Sequence, residues 1–107
     1  MEAMNDLDFT LHCRIRFFAH RRSSVPNLNS GNYRPHLQVK GQSDYLGVCF
    51  VDGEEVVFDQ AVQCSVLPLY ETVDYSALTE GVSFFVLEGN KIVGEGIVDE
   101  VFRHRRR

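Results

Sequence analysis

The sequence predicts an all-β domain, a barrel or a sandwich, and three observations lead to this fold class. Residues 8–17 alternate apolar and polar side chains, which is the two-residue period of a strand with one buried face. Further short apolar runs follow at close spacing and are separated by Gly, Asn and Asp. No segment has the period of an amphipathic helix, and residues 74–79 offer at most one helical turn.

The first strand, residues 8–17, has an outward face that is basic. His12, Arg14 and Arg16 follow one another on that face, because alternate residues of a strand point the same way. Residues 18–31 are rich in Ser, Asn, Pro and Gly and predict a loop. Loops of this length are unusual in a small domain and are often functional or mobile.

The next strands are predicted from apolar runs that end at turn residues. Residues 33–40 form the second strand, with Pro35 at its start or on an edge because proline has no N–H to donate. The third strand ends at a turn formed by Asp52 and Gly53, and residues 55–58 form a short strand or a bridge. The third and later strands cover residues 45–51, 61–69, 82–88 and 92–102, with residues 74–80 as a connection.

Glycines shape the last hairpin. Gly89 and Asn90 suit a two-residue turn, since both tolerate a positive φ. Gly94 and Gly96 lie inside the last strand, where glycine indicates close approach of another backbone or tight barrel curvature.

Length and composition indicate a single globular domain. The chain has 107 residues, 44% of them apolar and 24% charged, so residues 1–107 form one domain with ends at 1–7 and 103–107 that we expect to be flexible. No run approaches the ~18 apolar residues of a membrane span. The first ten residues are acidic and mixed, unlike a signal peptide, so we expect a cytoplasmic protein with no membrane partner.

The cysteines are expected to be reduced and buried. Cys13, Cys49 and Cys64 are an odd number without metal-ligand spacing, which disfavours both a disulfide framework and a zinc site. His12 neighbours Cys13, but adjacent strand residues point to opposite faces, so the two cannot act as a nucleophile and its base.

The net charge of −4 conceals a segregation of charge along the chain. Residues 1–40 carry six Lys or Arg against three acids (+3), residues 41–102 carry one Lys against twelve acids (−11), and residues 103–107 carry four Arg (+4). Two interpretations stay open: attraction within the molecule between the ends and the middle, or a basic patch that faces an anionic partner.

Two segments resemble the third, C-terminal β-barrel domain of elongation factor Tu. Residues 31–37 read Gly-Asn-Tyr-Arg-Pro-His-Leu, where that family has Gly-Tyr-Arg-Pro-Gln-Phe. Residues 81–98 hold an aromatic-rich strand, a Glu-Gly turn and a Val-Gly-Glu-Gly-Ile-Val strand, similar to the family's Thr-Val-Gly-X-Gly-Val-Val. The resemblance spans residues 8–101. It implies a closed six-stranded antiparallel Greek-key barrel with translation-related contacts to tRNA and to protein domains.

The resemblance can be followed at single tRNA-contacting positions. Glu88 and Gly89 match the family's Glu-Gly pair, and Arg21-Arg22 corresponds loosely to an Arg-His pair in its first loop. The chain departs from the family at three positions: His36 stands at a Gln, Tyr45 near a Thr, and Asp74 near a Lys. The resemblance therefore implies the barrel more fully than it implies tRNA binding.

We expect no enzymatic activity. The four histidines lie on different elements, and neighbouring acids such as Glu54 and Glu55 face apart on a strand. Gly94 and Gly96 precede no helix, so they do not form a nucleotide-binding loop. The sequence thus predicts no catalytic residues, no metal, no nucleotide and no other cofactor.

The function predicted from the sequence is that of a binding module. The chain has more aromatic side chains than the interior of a small barrel readily holds. Phe84 and Phe85 are adjacent in a strand, so one of them faces outward. This favours a protein partner or a homodimer, and RNA or tRNA binding is the alternative. The candidate surface for either partner consists of Arg14, Arg16, Arg21, Arg22, Arg34, His36, Glu88 and Gly89.

Overall fold

The computed structural model describes residues 9–70 and 72–104, which fold as one closed antiparallel barrel without a helix. The fold class predicted from the sequence is therefore confirmed. The expected flexible ends lie outside the described residues, except that Arg103 closes the last strand and His104 follows it. The strands are β1 (Phe9–Phe17), β2 (His36–Val39), β3 (Leu46–Gly53), β4 (Ala61–Pro68), β5 (Ser83–Glu88) and β6 (Lys91–Arg103).

The strands follow the order β1-β4-β3-β2-β5-β6 around the barrel. Strands β2, β3 and β4 are consecutive neighbours and β1 lies beside β4, which is the arrangement of a Greek key. Because β6 pairs with β1, the first and last strands meet and the sheet has no free edge.

Alternation along each strand fills the barrel interior. In β1 the side chains of Leu11, Ile15 and Phe17 are buried, whereas those of His12 and Arg14 are exposed. The same alternation explains the adjacent aromatics of β5. Phe84 is fully buried in the core and Phe85 faces outward, as the sequence predicted for one of the pair.

The predicted close approach at the glycines of β6 is confirmed. A Cβ atom on Gly96 would lie 2.6 Å from the carbonyl oxygen of Arg14 and 2.9 Å from the Phe84 ring. A Cβ atom on Gly94 would lie 2.7 Å from the carbonyl oxygen of Arg16. Strands β1 and β6 can therefore pack at this distance only where β6 has no side chain.

Two local predictions are wrong. Asp52 and Gly53 do not form a turn, because β4 continues to pair with them through Ser65 and Cys64 after a register shift. Residues 55–58 form neither a strand nor a bridge, since no neighbouring strand offers them hydrogen-bonding partners. The last hairpin is confirmed: Glu88 pairs with Lys91, and Gly89 has the positive φ, 64°.

Candidate partner-binding surfaces

The outward arginine at the centre of β1 is held by a carboxylate of β6. Arg14 donates from Nε to both oxygens of Asp99, at 3.0 and 2.9 Å, and from Nη2 to Oδ1 at 2.8 Å. Asp99 is the extra residue of β6 at a register shift, where His12 pairs with Glu100 and Cys13 with Val98. This irregularity places the carboxylate beside the guanidinium.

A second ion cluster lies on the same outer face, two residues further along β1. Arg16 Nη2 donates to Glu95 Oε2 at 2.6 Å, and Lys40 Nζ donates to Glu95 Oε1 at 2.9 Å. These hydrogen bonds, that from Arg16 first, lower the pKa of Glu95. The cluster ties β6 to β1 and to the end of β2.

Arg22, another arginine of the predicted surface, is part of a network at one end of the barrel. Arg22 Nε donates to Glu88 Oε2 at 2.7 Å, and the Tyr33 hydroxyl donates to the same oxygen at 2.6 Å. The Arg22 guanidinium also lies 5.5 Å from the centre of the Tyr33 ring. Burial, followed by the hydrogen bond to Glu88, raises the pKa of Tyr33. Glu88 thus anchors the loop of residues 18–31 to β5.

Among the described residues, the remaining predicted residues form no ion pair with these clusters. Arg21 and Arg34 are exposed, and neither makes an ion pair with another described residue. His36 is half-buried on the outer side of β2, and Gly89 is exposed in the last turn. The structure therefore brings together Arg22 and Glu88, and it binds Arg14 and Arg16 to carboxylates outside the predicted set.

Two of the outward-facing aromatic rings are covered by cations. The Arg16 guanidinium carbon lies 5.2 Å from the Phe18 ring centre, and Lys40 Nζ lies 4.9 Å from that of Phe85. The stacked His20 ring lies on Phe18 as well, at 5.6 Å. Some of the aromatic rings that do not fit in the barrel interior are therefore covered by charged side chains of the domain itself.

Three other rings form an exposed surface at the beginning of β3, which we call the tyrosine surface: Tyr45, His36 and Tyr70. The ring centres of His36 and Tyr45 are 5.9 Å apart. Tyr70 lies directly on Gly47, where a Cβ atom would be 2.3 Å from the ring, and Gly47 is the strand partner of His36. Tyr45 and Tyr70 remain 42% and 49% exposed.

An acidic cleft of about 620 Å³ crosses the outer face of β6, β1, β4 and β3. His12 pairs with Glu100 on one side and with Ser65 on the other, and Ser65 pairs with Asp52. Glu54, at the same cleft, accepts a hydrogen bond from the backbone N–H of Gln63. No group of three or more possible metal ligands occurs among residues 9–70 and 72–104.

The prediction that the cysteines are buried is confirmed for two of the three. Cys13 and Cys64 are buried and are direct strand partners in β1 and β4. Burial, with a smaller contribution from Asp99, raises the pKa of Cys13 to about 12. Burial also raises the pKa of Cys64. Cys49 is only half-buried, and its thiol contacts the carbonyl oxygen of Gly31 at 3.6 Å.

Sequence reasoning missed the tyrosine surface as a unit. Tyr70 and Gly47 lie in different predicted strands or loops, and the contact between them exists only once β3 and the end of β4 pair. The one available signal was Gly47 inside an apolar strand, because an interior glycine in a strand often indicates close approach of another group.

Within the part of the chain that is described, no helix is long and apolar enough to cross a membrane. In comparisons with known proteins, no protein-family model matches this chain, and neither does any curated protein. The likeness to the third domain of elongation factor Tu consequently remains an expectation from the sequence.

Proposed function

We propose that this barrel is a non-catalytic binding module that engages a protein partner through the tyrosine surface. The observation that carries the proposal is a contrast on the outer face. Three predicted RNA-contacting arginines, Arg14, Arg16 and Arg22, are hydrogen-bonded to carboxylates of the same chain, whereas Tyr45 and Tyr70 stay nearly half exposed.

Tyrosine is suited to this role. Aromatic side chains are enriched in protein interfaces, and Tyr is among the residues that dominate binding energy when a partner buries them. Tyr70 is held flat by its contact with Gly47, and His36 and Tyr45 pack against each other, so little side-chain freedom would be lost on binding. A second copy of the chain is one such partner, and a different protein is another.

RNA or tRNA binding is the alternative function. Arg21 and Arg34 are exposed, and the rings of His36 and Tyr45 offer faces on which bases could stack. Phosphate contacts through Arg14, Arg16 or Arg22 would first require breaking ion pairs with Asp99, Glu95 or Glu88. We therefore rank this alternative below a protein partner.

Affinity capture from cells that make this protein tests the proposal, performed with and without ribonuclease. The decisive variant is Tyr45→Ser with Tyr70→Ser. A matched control is Val51→Ser with Phe102→Ser, because those side chains are similarly exposed, 37% and 42%, and lie outside the tyrosine surface. Circular dichroism and light scattering establish the fold and the oligomeric state of each variant.

We expect a captured protein, or a dimer in light scattering, that withstands ribonuclease and is lost from the tyrosine variant but not from the control. Capture that disappears with ribonuclease would instead support the RNA alternative. Equal capture by the tyrosine variant and the wild-type protein would contradict the assignment to this surface.

A further inference from the structure

A groove of about 330 Å³ lies between residues 25–29 of the long loop and residues 54–56 after β3, and we call it the loop groove. It lies at the opposite end of β3 from the tyrosine surface, since Tyr45 precedes that strand and Glu54 follows it. Val25 lines the groove and is 41% exposed. Val56, which lines the groove, and Leu28 are buried and form its floor.

Most backbone groups along one wall of the groove make no hydrogen bond with a described residue. Glu54 donates its N–H to the carbonyl oxygen of Gln63, and the carbonyl oxygen of Val57 accepts from Gln60. Between these two bonds, the N–H and C=O groups of Glu55 and Val56 and the N–H of Val57 make none with any described residue. Backbone groups in this state are satisfied by water or by another chain.

The sequence of this wall favours a strand that the domain does not complete. Val56, Val57 and Phe58 are β-branched or aromatic, the residue types that fit an extended, half-buried backbone. The barrel itself is closed, so its six strands offer no free edge to a partner. Residues 55–57 are thus rich in strand-forming residues, and of their backbone groups only the carbonyl of Val57 is paired with another described residue.

The charge of the groove defines which segment fits. Glu54 and Glu55 line it, and neither forms an ion pair with another described residue. Asn29 and Glu54 also line the acidic cleft, so the two depressions are continuous and lead on to Asp52 and Glu100. An extended segment with apolar side chains toward Val25 and Val56 and basic side chains toward these carboxylates would be complementary.

We propose that the loop groove binds an extended, basic segment of a protein partner, which adds a strand to the backbone of residues 55–57. Strand addition of this kind draws affinity from main-chain hydrogen bonds and specificity from alternate side chains. Because this inference rests on residues outside the tyrosine surface, its failure would not contradict the function proposed above, and failure of that function would not contradict this inference.

The test uses the full chain and a synthetic peptide of alternating Lys and Val, about eight residues long, within the usual range of strands. Two matched peptides serve as controls: one has Glu in place of Lys, and the other carries N-methyl groups on alternate backbone nitrogens. Binding is followed by fluorescence anisotropy, and the site is located from backbone amide chemical shifts.

The Lys-Val peptide is expected to shift the amides of residues 55–57 and to slow their hydrogen exchange. The N-methylated peptide should bind at least about tenfold more weakly, because it loses main-chain hydrogen bonds to residues 55–57. The Glu-Val peptide should also bind more weakly, because like charges then meet in the groove.

Variants of the protein locate the site independently. Val25→Lys and Glu55→Lys should each weaken peptide binding, whereas Val51→Lys should leave it unchanged, because Val51 is exposed like Val25 but does not line the groove. The Tyr45→Ser, Tyr70→Ser variant should bind the peptide like wild type, which separates this inference from the tyrosine surface.

Three results would overturn the proposal. The first is equal binding of the parent and N-methylated peptides, which would reduce the effect to general attraction by the acidic surface. The second is no shift of the groove amides at about 1 mM peptide, a concentration at which even weak specific binding would be detected. The third is a concentration-dependent shift of the same amides without peptide, which would make a second copy of this chain the occupant.

Discussion

Tyr75 shows how one buried hydroxyl fixes an otherwise irregular connection. Its ring is buried in the core, and its hydroxyl donates to the carbonyl oxygen of Gly47 at 2.6 Å. The hydroxyl oxygen of Tyr75 in turn accepts from the backbone N–H groups of Leu69 and Tyr70, each at 3.1 Å. Tyr75 thereby holds the segment after β4 against β3 and sets the position of Tyr70 on Gly47.

Tyr75→Phe should therefore lower the free energy of unfolding by about 1–3 kcal/mol, because the Tyr70 N–H loses its acceptor and the Leu69 N–H and the Gly47 carbonyl, which also bond to each other, each lose one of two hydrogen bonds. Urea denaturation measures the change. Tyr70→Phe is the matched control, since the Tyr70 hydroxyl makes no hydrogen bond with a described residue, and its effect should stay within about 0.5 kcal/mol. Equal effects of the two variants would refute this role.

The thiols should differ in reactivity. Cys13 and Cys64 are buried with raised pKa values, so at pH about 8 they hold almost no thiolate, the reactive form. A colorimetric thiol reagent should modify half-buried Cys49 first in the native protein and all three cysteines only after denaturation. Rapid modification of three thiols in the native state would contradict the described packing.

At the scale of elements, the pairing of β1 with β6 depends on Gly96. Gly96→Ala places a methyl group against the Arg14 carbonyl and the Phe84 ring, so one of the two strands must move. We expect a loss of about 1–3 kcal/mol, as for other overpacked sites, measured by urea denaturation.

The control for this substitution lies in the neighbouring hairpin. Gly89→Asn keeps a residue that tolerates a positive φ, at a position with no atom within 4 Å of the added Cβ. Gly89→Asn should lower the free energy of unfolding clearly less than Gly96→Ala does. A greater loss at Gly89 would show that the turn, not the contact between β1 and β6, limits stability.

The ion cluster that joins β1, β2 and β6 gives a pH dependence. Arg16 and Lys40 lower the pKa of Glu95 below its ordinary value of 4.5. As the pH falls, Glu95 is therefore protonated in the unfolded chain before it is protonated in the folded protein. The stability that Glu95 contributes is present above pH 4.5 and is lost as the pH falls through the folded-state pKa.

Glu95→Gln should accordingly lose stability at neutral pH and show a weaker fall of the urea midpoint between pH about 5 and pH about 2.5. The effect should remain below about 1 kcal/mol, because these groups are 30–44% exposed. Glu100→Gln is the control, since Glu100 is exposed and forms no ion pair with a described residue. Identical pH profiles of wild type and Glu95→Gln would contradict the cluster's role.

At the scale of the whole molecule, the segregation of charge along the chain is resolved by the closure of the barrel. The basic first strand lies beside the acidic last strand, so Arg14 and Arg16 meet Asp99 and Glu95. Of the two interpretations open from the sequence, the described residues show attraction within the molecule at these positions.

A gel-shift assay with total tRNA at low salt follows from this distribution. We expect no shift at about 50 µM protein, within the range where basic proteins bind nucleic acid nonspecifically. A shift that Arg21→Glu and Arg34→Glu abolish would instead support the RNA alternative through the two exposed arginines. A shift lost only on replacing Arg105, Arg106 and Arg107 would assign it to the basic end of the chain.

The sequence by itself determined where the six strands lie and, for β1, which side chains face inward. Alternation in residues 8–17 predicted β1 closely, because burial on one face of a strand follows a two-residue period that neighbouring strands do not alter. The tight turn at Gly89 and the close backbone approach at Gly96 were also predicted correctly, because each requires a small residue at that position in the chain.

Only the tertiary structure decided what those strands meet. Residues 55–58 have the composition of a strand but no neighbour, and Asp52 and Gly53 have the composition of a turn but remain paired with β4. Arg14 and Arg16, which the sequence suggested for an external partner, pair with Asp99 and Glu95 of β6 instead. Hydrogen-bond and ion-pair partners are set by strand order and register, which join residues distant in the chain, and no local pattern records that order.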